Sequence, residues 1–158
     1  MAAARDAWSL DSDRTFEQDP RFGLIVLSEI ASRALSPAVN DPGTAIHVLA
    51  SGLKAFTAYL QPYAPNPAVK YPRIQIVPIV FAEMLEDFFV PIARDGAGQV
   101  EVQIRLQKTL KSLAAIGGKR VENACQLQSA SAMARAMQAL ASPDDRRRLE
   151  AVCQDTTL

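Results

Sequence analysis

The sequence predicts an all-α fold, a compact bundle of about six helices with at most one short strand or hairpin. Apolar residues recur through most of the chain at the three- and four-residue spacing of amphipathic helices. A short polar residue followed by proline, which is typical of a helix N-terminus, occurs at Asp19-Pro20, Asp41-Pro42 and Ser142-Pro143. With 158 residues, 49% of them hydrophobic, the chain is long enough to bury one core without disulfides or metals.

The first two helices follow these start signals directly. After Asp19, residues 22–35 repeat apolar side chains on one broad face, and Pro37 ends the segment. After Asp41, a second helix carries one apolar stripe and continues until Pro62. The stripe consists of Ile46, Leu49, Leu53, Phe56 and Leu60.

The middle of the chain reads as a loop, a short strand and a third helix. Residues 61–73 contain four prolines and show no periodicity, which indicates a loop. Residues 73–77 alternate between polar and apolar side chains, as a short strand does. We expect Pro78 to open the third helix and Pro91 to kink or end it.

Residues 99–107 fit two patterns. Their apolar side chains alternate as in a strand, yet the series Leu106, Leu110, Leu113 and Ile116 continues at helical spacing. We favour a helix over residues 100–116, and the alternative is a hairpin with residues 73–77. Two further helices, over residues 119–140 and 143–154, complete a single domain spanning residues 14–158, preceded by a flexible segment at 1–13.

Composition excludes several classes of protein. The 17 basic and 17 acidic residues cancel, whereas a nucleic-acid-binding protein needs a basic excess. No stretch reaches the roughly 18 apolar residues of a membrane span, and the N-terminus lacks the apolar core of a signal peptide. Cys125 and Cys153 lie far apart with no His or Cys at ligand spacing, so we expect free thiols, no metal and no cofactor.

Two long motifs carry a family resemblance. They are RTFEQDPRFGL at residues 14–24 and IASRALSPAVNDPGTA at residues 30–45. Together they resemble the region outside the membrane in a bacterial family of predicted membrane proteins, the domain of unknown function 2254. The resemblance implies a parent protein in the bacterial inner membrane, whereas this chain on its own is expected to be soluble. It implies no established activity.

Six polar residues of these motifs are the candidate binding site: Arg14, Asp19, Arg33, Ser36, Asn40 and Asp41. The functional interpretation places them where two loops meet at two helix N-termini, whose free N–H groups suit an anion or a carboxylate. The structural interpretation is simpler. Asp19 and Asp41 act as helix caps, and the arginines bind the caps and loop carbonyls.

Other candidates have plainer interpretations. His47 shares a polar helix face with Ser51 and Lys54 and is expected to be solvated. The acidic group Glu83, Glu86 and Asp87 is typical of a solvated helix face, and residues 146–148 form a basic run neutralised by neighbouring acids. The small and apolar stripe on the 119–140 helix is expected to pack in the core. We identify no catalytic constellation, which favours a role other than catalysis.

Two functions follow as hypotheses. The first is an interaction, oligomerisation or sensing domain of a bacterial membrane protein, with a protein partner or a second copy of itself. The alternative is a small-molecule or anion binder, including an unrecognised enzyme, centred on Arg14, Asp19, Arg33 and Asp41.

Overall fold

The computed structural model describes residues 14–16, 19–62 and 78–154. Within these segments the chain forms six α-helices and no strand, which confirms the predicted all-α class. The helices are α1 (Pro20–Ala34), α2 (Pro42–Leu60), α3 (Phe81–Asp95), α4 (Val100–Ile116), α5 (Lys119–Ala139) and α6 (Pro143–Gln154). The N-terminal segment 1–13, the expected strand at 73–77 and most of the expected loop at 61–73 lie outside the described residues.

The predicted helix starts are confirmed in atomic detail. The Asp19 side chain accepts a hydrogen bond from the N–H of Phe22 (3.1 Å), and the Asp41 side chain accepts one from Thr44 (3.0 Å). In both helices proline occupies the first turn, where its missing N–H costs nothing. Ser142 accepts a longer contact from the N–H of Asp145 (3.4 Å) at the start of α6.

Helix α3 begins later than expected and continues through Pro91. It begins at Phe81 rather than Pro78, because Val80 still has extended backbone angles. Pro91 lies inside α3 and does not end it; the helix continues to Asp95. Phe88, Phe89 and Ile92 are buried on either side of the proline, so tertiary packing holds the helix together across the missing hydrogen bond.

The segment whose sequence fits both a strand and a helix, residues 99–107, is helical from residue 100 onward, as favoured, and the hairpin alternative is wrong. Helix α4 buries Val102, Leu106, Leu110 and Leu113, which recur at helical spacing. It also buries Gln103, whose side-chain amide donates to the carbonyls of Ala93 (3.3 Å) and Gly96 (2.9 Å). A side chain of α4 thus completes the hydrogen bonding at the end of α3.

Five helices form a closed ring around the core. In order around the ring they are α1, α2, α4, α5 and α3, each packed against its two neighbours, while α6 packs on the outside of α4. Helix α1 turns Leu24, Ser28 and Ala31 inward, whereas Ile30 is 46% exposed. The polar Ser28 is buried instead because it continues the inward stripe of Leu24 and Ala31.

Three phenylalanine side chains fill the space that the five helices enclose. Phe56 of α2 lies 5.7 Å from Phe88 and 5.9 Å from Phe89 of α3, measured between ring centres. All three side chains are at most 1% exposed. Gly52 of α2 makes room for them, because a Cβ atom there would lie 2.2 Å from Cζ of Phe88.

We expect Gly52→Ala to destabilise the protein although alanine is the better helix former. The added methyl group meets the Phe88 ring, which cannot swing aside because Phe56 and Phe89 hold it. Overpacking of this kind costs about 1–3 kcal/mol, of which improved helix propensity returns about 1 kcal/mol. Urea unfolding followed by circular dichroism measures the change.

Gly23→Ala is the matched control. Gly23 lies in α1, where an added Cβ finds its nearest neighbour, Cδ1 of Phe16, at an ordinary 3.6 Å. Here only the helix propensity changes, so we expect stabilisation by about 0.5–1 kcal/mol. Equal effects of the two substitutions would contradict the close contact assigned to Gly52.

Candidate functional site

Arg14 and Asp19 form one half of the predicted site, at the N-terminal end of α1. Nε and Nη2 of Arg14 both donate to Oδ2 of Asp19, at 2.9 and 2.6 Å. The guanidinium also lies 5.0 Å above the centre of the Phe22 ring. The remaining carboxylate oxygen of Asp19 caps α1, so both charged groups are occupied by contacts within the chain.

These contacts shift the acidity of Asp19. The hydrogen bond from Arg14 is the main cause that lowers the pKa of the Asp19 carboxyl. Loss of hydration opposes it, and the N–H of Phe22 lowers the pKa further. A carboxylate held ionised in this way is a weak general base. The contacts of Arg14 and Asp19 therefore favour the structural interpretation, in which Asp19 caps the helix and Arg14 binds the cap.

The other four predicted residues lie at the opposite end of α1. Ser36 Oγ donates to the Arg33 carbonyl (2.7 Å), and Asp41 N–H donates to the Ala34 carbonyl (2.8 Å), which folds the chain tightly from α1 into α2. Asn40 has a left-handed backbone (φ 48°), and its side chain accepts from Gln99 (3.2 Å). Hydrogen bonds from the side chain and N–H of Thr44 lower the pKa of Asp41.

The structure therefore divides the six residues into two groups instead of one pocket. The 15 residues of α1 separate Asp19 from Arg33 and Asp41 by about 20 Å. Arg33 is exposed, and its guanidinium forms no hydrogen bond or ion pair with the described part of the chain. A binding role for either group stays a prediction.

An open groove, here called the apolar groove, lies between α1 and α2 with α3 as its floor. It encloses about 420 Å³. Its rim carries Phe16, which is 61% exposed, and Tyr59, which is 45% exposed. The residues that line it are almost entirely apolar: Phe16, Pro20, Gly23, Leu24, Val26, Leu27, Ala55, Phe56, Tyr59 and Met84.

Aromatic contacts hold both rim residues in place. Phe16 stacks on Phe22 at 5.2 Å between ring centres, and Tyr59 stacks on Phe81 at 6.3 Å. Each ring therefore has one face against the protein while the residue remains largely exposed to solvent. The rim is preorganised, which reduces the entropy lost when a partner binds.

Arg21 joins two helices beside the apolar groove. From α1 its Nε donates to Asp87 (2.6 Å) and its Nη1 to Glu83 (2.5 Å), both on α3. The contact with Asp87 is the main cause that raises the pKa of Arg21. Glu83 and Asp87 lie one helical turn apart and repel each other. This spacing is the sequence signal that could have predicted a basic side chain from another helix.

The remaining sequence candidates lie on the surface or in the core. His47 is exposed, as predicted, and Asp144 and Asp145 pair with Arg147 (2.6 Å) and Arg148 (3.3 Å). On α5 the small and apolar stripe is largely buried, with Ala136 at 0% exposure. Both cysteines are free thiols, as expected, Cys125 buried and Cys153 exposed.

Within the described segments, no three His, Cys, Asp or Glu side chains come together as metal ligands. Among the described helices, none combines the length and the apolar composition that a membrane-spanning helix needs.

Comparison with known proteins bears on residues 1–112. A family described as "Predicted membrane protein (DUF2254)" matches this part of the chain. Uncharacterised proteins from Mycobacterium bovis and from two strains of Mycobacterium tuberculosis are 62% identical over 37 residues, 23% of this chain. The matched segment spans only 7% of the length of these relatives. No solved structure matches the chain significantly.

Asp19→Asn separates the cap from the ion pair, because asparagine caps helices as well as aspartate does but carries no charge. We expect Asp19→Asn to lower the free energy of unfolding by about 0.5 kcal/mol. The effect is small because the Arg14–Asp19 ion pair is partly exposed. Asp19→Ala, which also removes the cap, should lose about 1 kcal/mol more. Urea unfolding at a series of pH values measures both.

The effect of Asp19→Asn should depend on pH in one direction. Because the folded state lowers the pKa of Asp19, the stabilisation by its charge is complete above about pH 4 and is lost as the pH falls through the lowered pKa. The two proteins should therefore converge in stability under acid conditions. A difference that grows on acidification would contradict this account of the pair.

Arg21→Gln should destabilise the protein by about 1 kcal/mol, because it breaks the link between α1 and α3 and leaves two acids repelling each other. Concentrated salt should shrink the difference by screening it. Arg94→Gln is the control, since Arg94 pairs with its neighbour Asp95 in the same helix. If thermal unfolding shows equal losses for both variants, Arg21 does not link the helices.

Proposed function

Because the chain belongs to the DUF2254 family of predicted membrane proteins, we propose that it is an extramembrane helical domain through which two copies of the protein associate. The apolar groove is the observation that carries the proposal. It is an open, apolar concavity whose rim holds exposed aromatic residues. Open apolar grooves with exposed aromatic residues at their rim are typical of surfaces that bind a partner.

A second copy of the chain is the occupant that the surface fits best. In a two-fold dimer the same patch faces itself, so it must offer both a protrusion and a cavity. The apolar groove provides the cavity, and Phe16 and Tyr59 beside it provide the protrusions. An aromatic side chain of one copy would fill the groove of the other, as aromatic anchors do at protein interfaces.

The charges around the apolar groove favour this arrangement. Arg14 is paired with Asp19, and Arg21 with Glu83 and Asp87, so these charged groups near the ends of α1 and α3 carry partners of opposite sign. The formal net charge of the whole chain is zero. Two copies can therefore approach without a large electrostatic penalty.

Placement outside the lipid is supported by the outer faces of the helices. His47, Ser51 and Lys54 are exposed along α2, which turns its apolar residues inward. Such faces suit water and not hydrocarbon. Within a longer family protein in the bacterial inner membrane, the domain would bring copies together beside the membrane, where the association is open to regulation by a signal.

Tyr59→Glu tests the proposal, since Tyr59 is exposed enough for a charged side chain to be tolerated in the monomer. Sedimentation equilibrium over a concentration series should show the wild-type protein converting from monomer to dimer. The substitution should weaken the dimer about 30-fold or more, as the loss of an aromatic anchor costs about 2 kcal/mol.

Leu127→Glu is the control, because Leu127 is 74% exposed on α5 and does not line the apolar groove. It should leave the association unchanged. A wild-type protein that stays monomeric at every concentration, or equal weakening by both variants, would overturn the proposal.

A further inference from the structure

A second groove, here called the thiol groove, lies between α4, α5 and α6, away from the apolar groove. It encloses about 380 Å³, a size typical of sites for small organic molecules. Leu110, Ala115, Cys125 and Cys153 are among its lining residues. Helices α5 and α6 lie beyond residue 112, where the family match ends, so the groove is a feature of this chain and not of the matched region alone.

The thiol groove contains a hydrogen-bonded polar pair, of which one residue is buried and the other half-buried. Gln107 of α4 is 4% exposed, and its Nε2 donates to the Ser129 carbonyl of α5 (3.2 Å). Ser129 Oγ donates in return to Oε1 of Gln107 (2.6 Å). A carboxamide has two N–H donors and two acceptor positions, so these contacts leave one of each for a bound molecule.

The charged residues that line the thiol groove, Lys111 and Glu122, carry opposite signs, so the lining has no net charge and favours an uncharged ligand. Burial raises the pKa of Cys125 to about 11. Partial loss of hydration raises the pKa of Cys153, which is otherwise exposed, against an opposing effect of Lys111, so both thiols are protonated near neutral pH. Glu122 already accepts hydrogen bonds from Lys119 (3.0 Å) and Gln126 (3.1 Å). Protonated sulfur is a soft, polarisable surface that packs well against aromatic rings.

We propose that the thiol groove binds a small neutral molecule with an aromatic or alicyclic body and one amide or hydroxyl group. The body lies against Leu110 and the two cysteines, and the polar group bonds to the Gln107 carboxamide. The hydrogen bond fixes the orientation of the ligand, and burial of its apolar body supplies most of the affinity.

Benzamide is a suitable probe, because it combines an aromatic ring with one carboxamide. Titration followed by ¹H–¹⁵N NMR should give saturable shifts that include the side-chain amide of Gln107, with a Kd on the order of 1 mM. Toluene, which lacks the carboxamide, should bind the same groove more weakly. The absence of saturable shifts, or shifts confined to residues elsewhere, would overturn the proposal.

Three variants sharpen the test. Ala115→Trp fills the groove from an exposed position and should abolish binding, whereas Ala134→Trp, exposed on α5 but not lining the groove, should leave it intact. Gln107→Leu should weaken benzamide about 3- to 10-fold and leave toluene nearly unchanged. Equal binding by the two tryptophan variants, or no effect of Gln107→Leu on benzamide, would contradict the assigned site. Circular dichroism checks that each variant is folded.

Discussion

The packing of Phe56 against Phe88 and Phe89 is the contact on which the rest of the bundle depends. These rings join α2 to α3, which are not neighbours in the ring of helices, and so fill the space that the ring encloses. Aromatic pairs of this kind add about 0.5–1.5 kcal/mol each beyond the burial of their surface. The contact requires glycine at position 52, so one missing side chain in α2 sets the distance between two helices.

The apolar groove is a consequence of the same packing. Phe56 lines the groove and also contacts the core rings, so the surface proposed for association is built directly on the buried aromatic core. Arg21 then holds α1 against α3 at the side of the groove, while stacking on Phe22 and Phe81 holds Phe16 and Tyr59 at its rim. A surface preorganised in this way loses little entropy on binding.

Local features were predictable from the sequence, and long-range ones were not. The caps at Asp19 and Asp41 involve residues three positions apart, so the sequence predicted both of them. Pro91 was misjudged as a possible helix end because the burial that sustains α3 depends on other helices.

The six motif residues are close in sequence but are separated by the length of α1. The apolar groove combines residues from three helices and left no continuous pattern, although the acid spacing on α3 did carry a signal for Arg21.

Isotope-filtered NOE spectroscopy on a mixture of labelled and unlabelled protein tests most directly whether two copies associate through the apolar groove. We expect intermolecular contacts from the rings of Phe16 or Tyr59 in one copy to Leu24, Val26 or Leu27 in the other. Intermolecular contacts confined to another surface, or none at concentrations well above those in the sedimentation series, would contradict it.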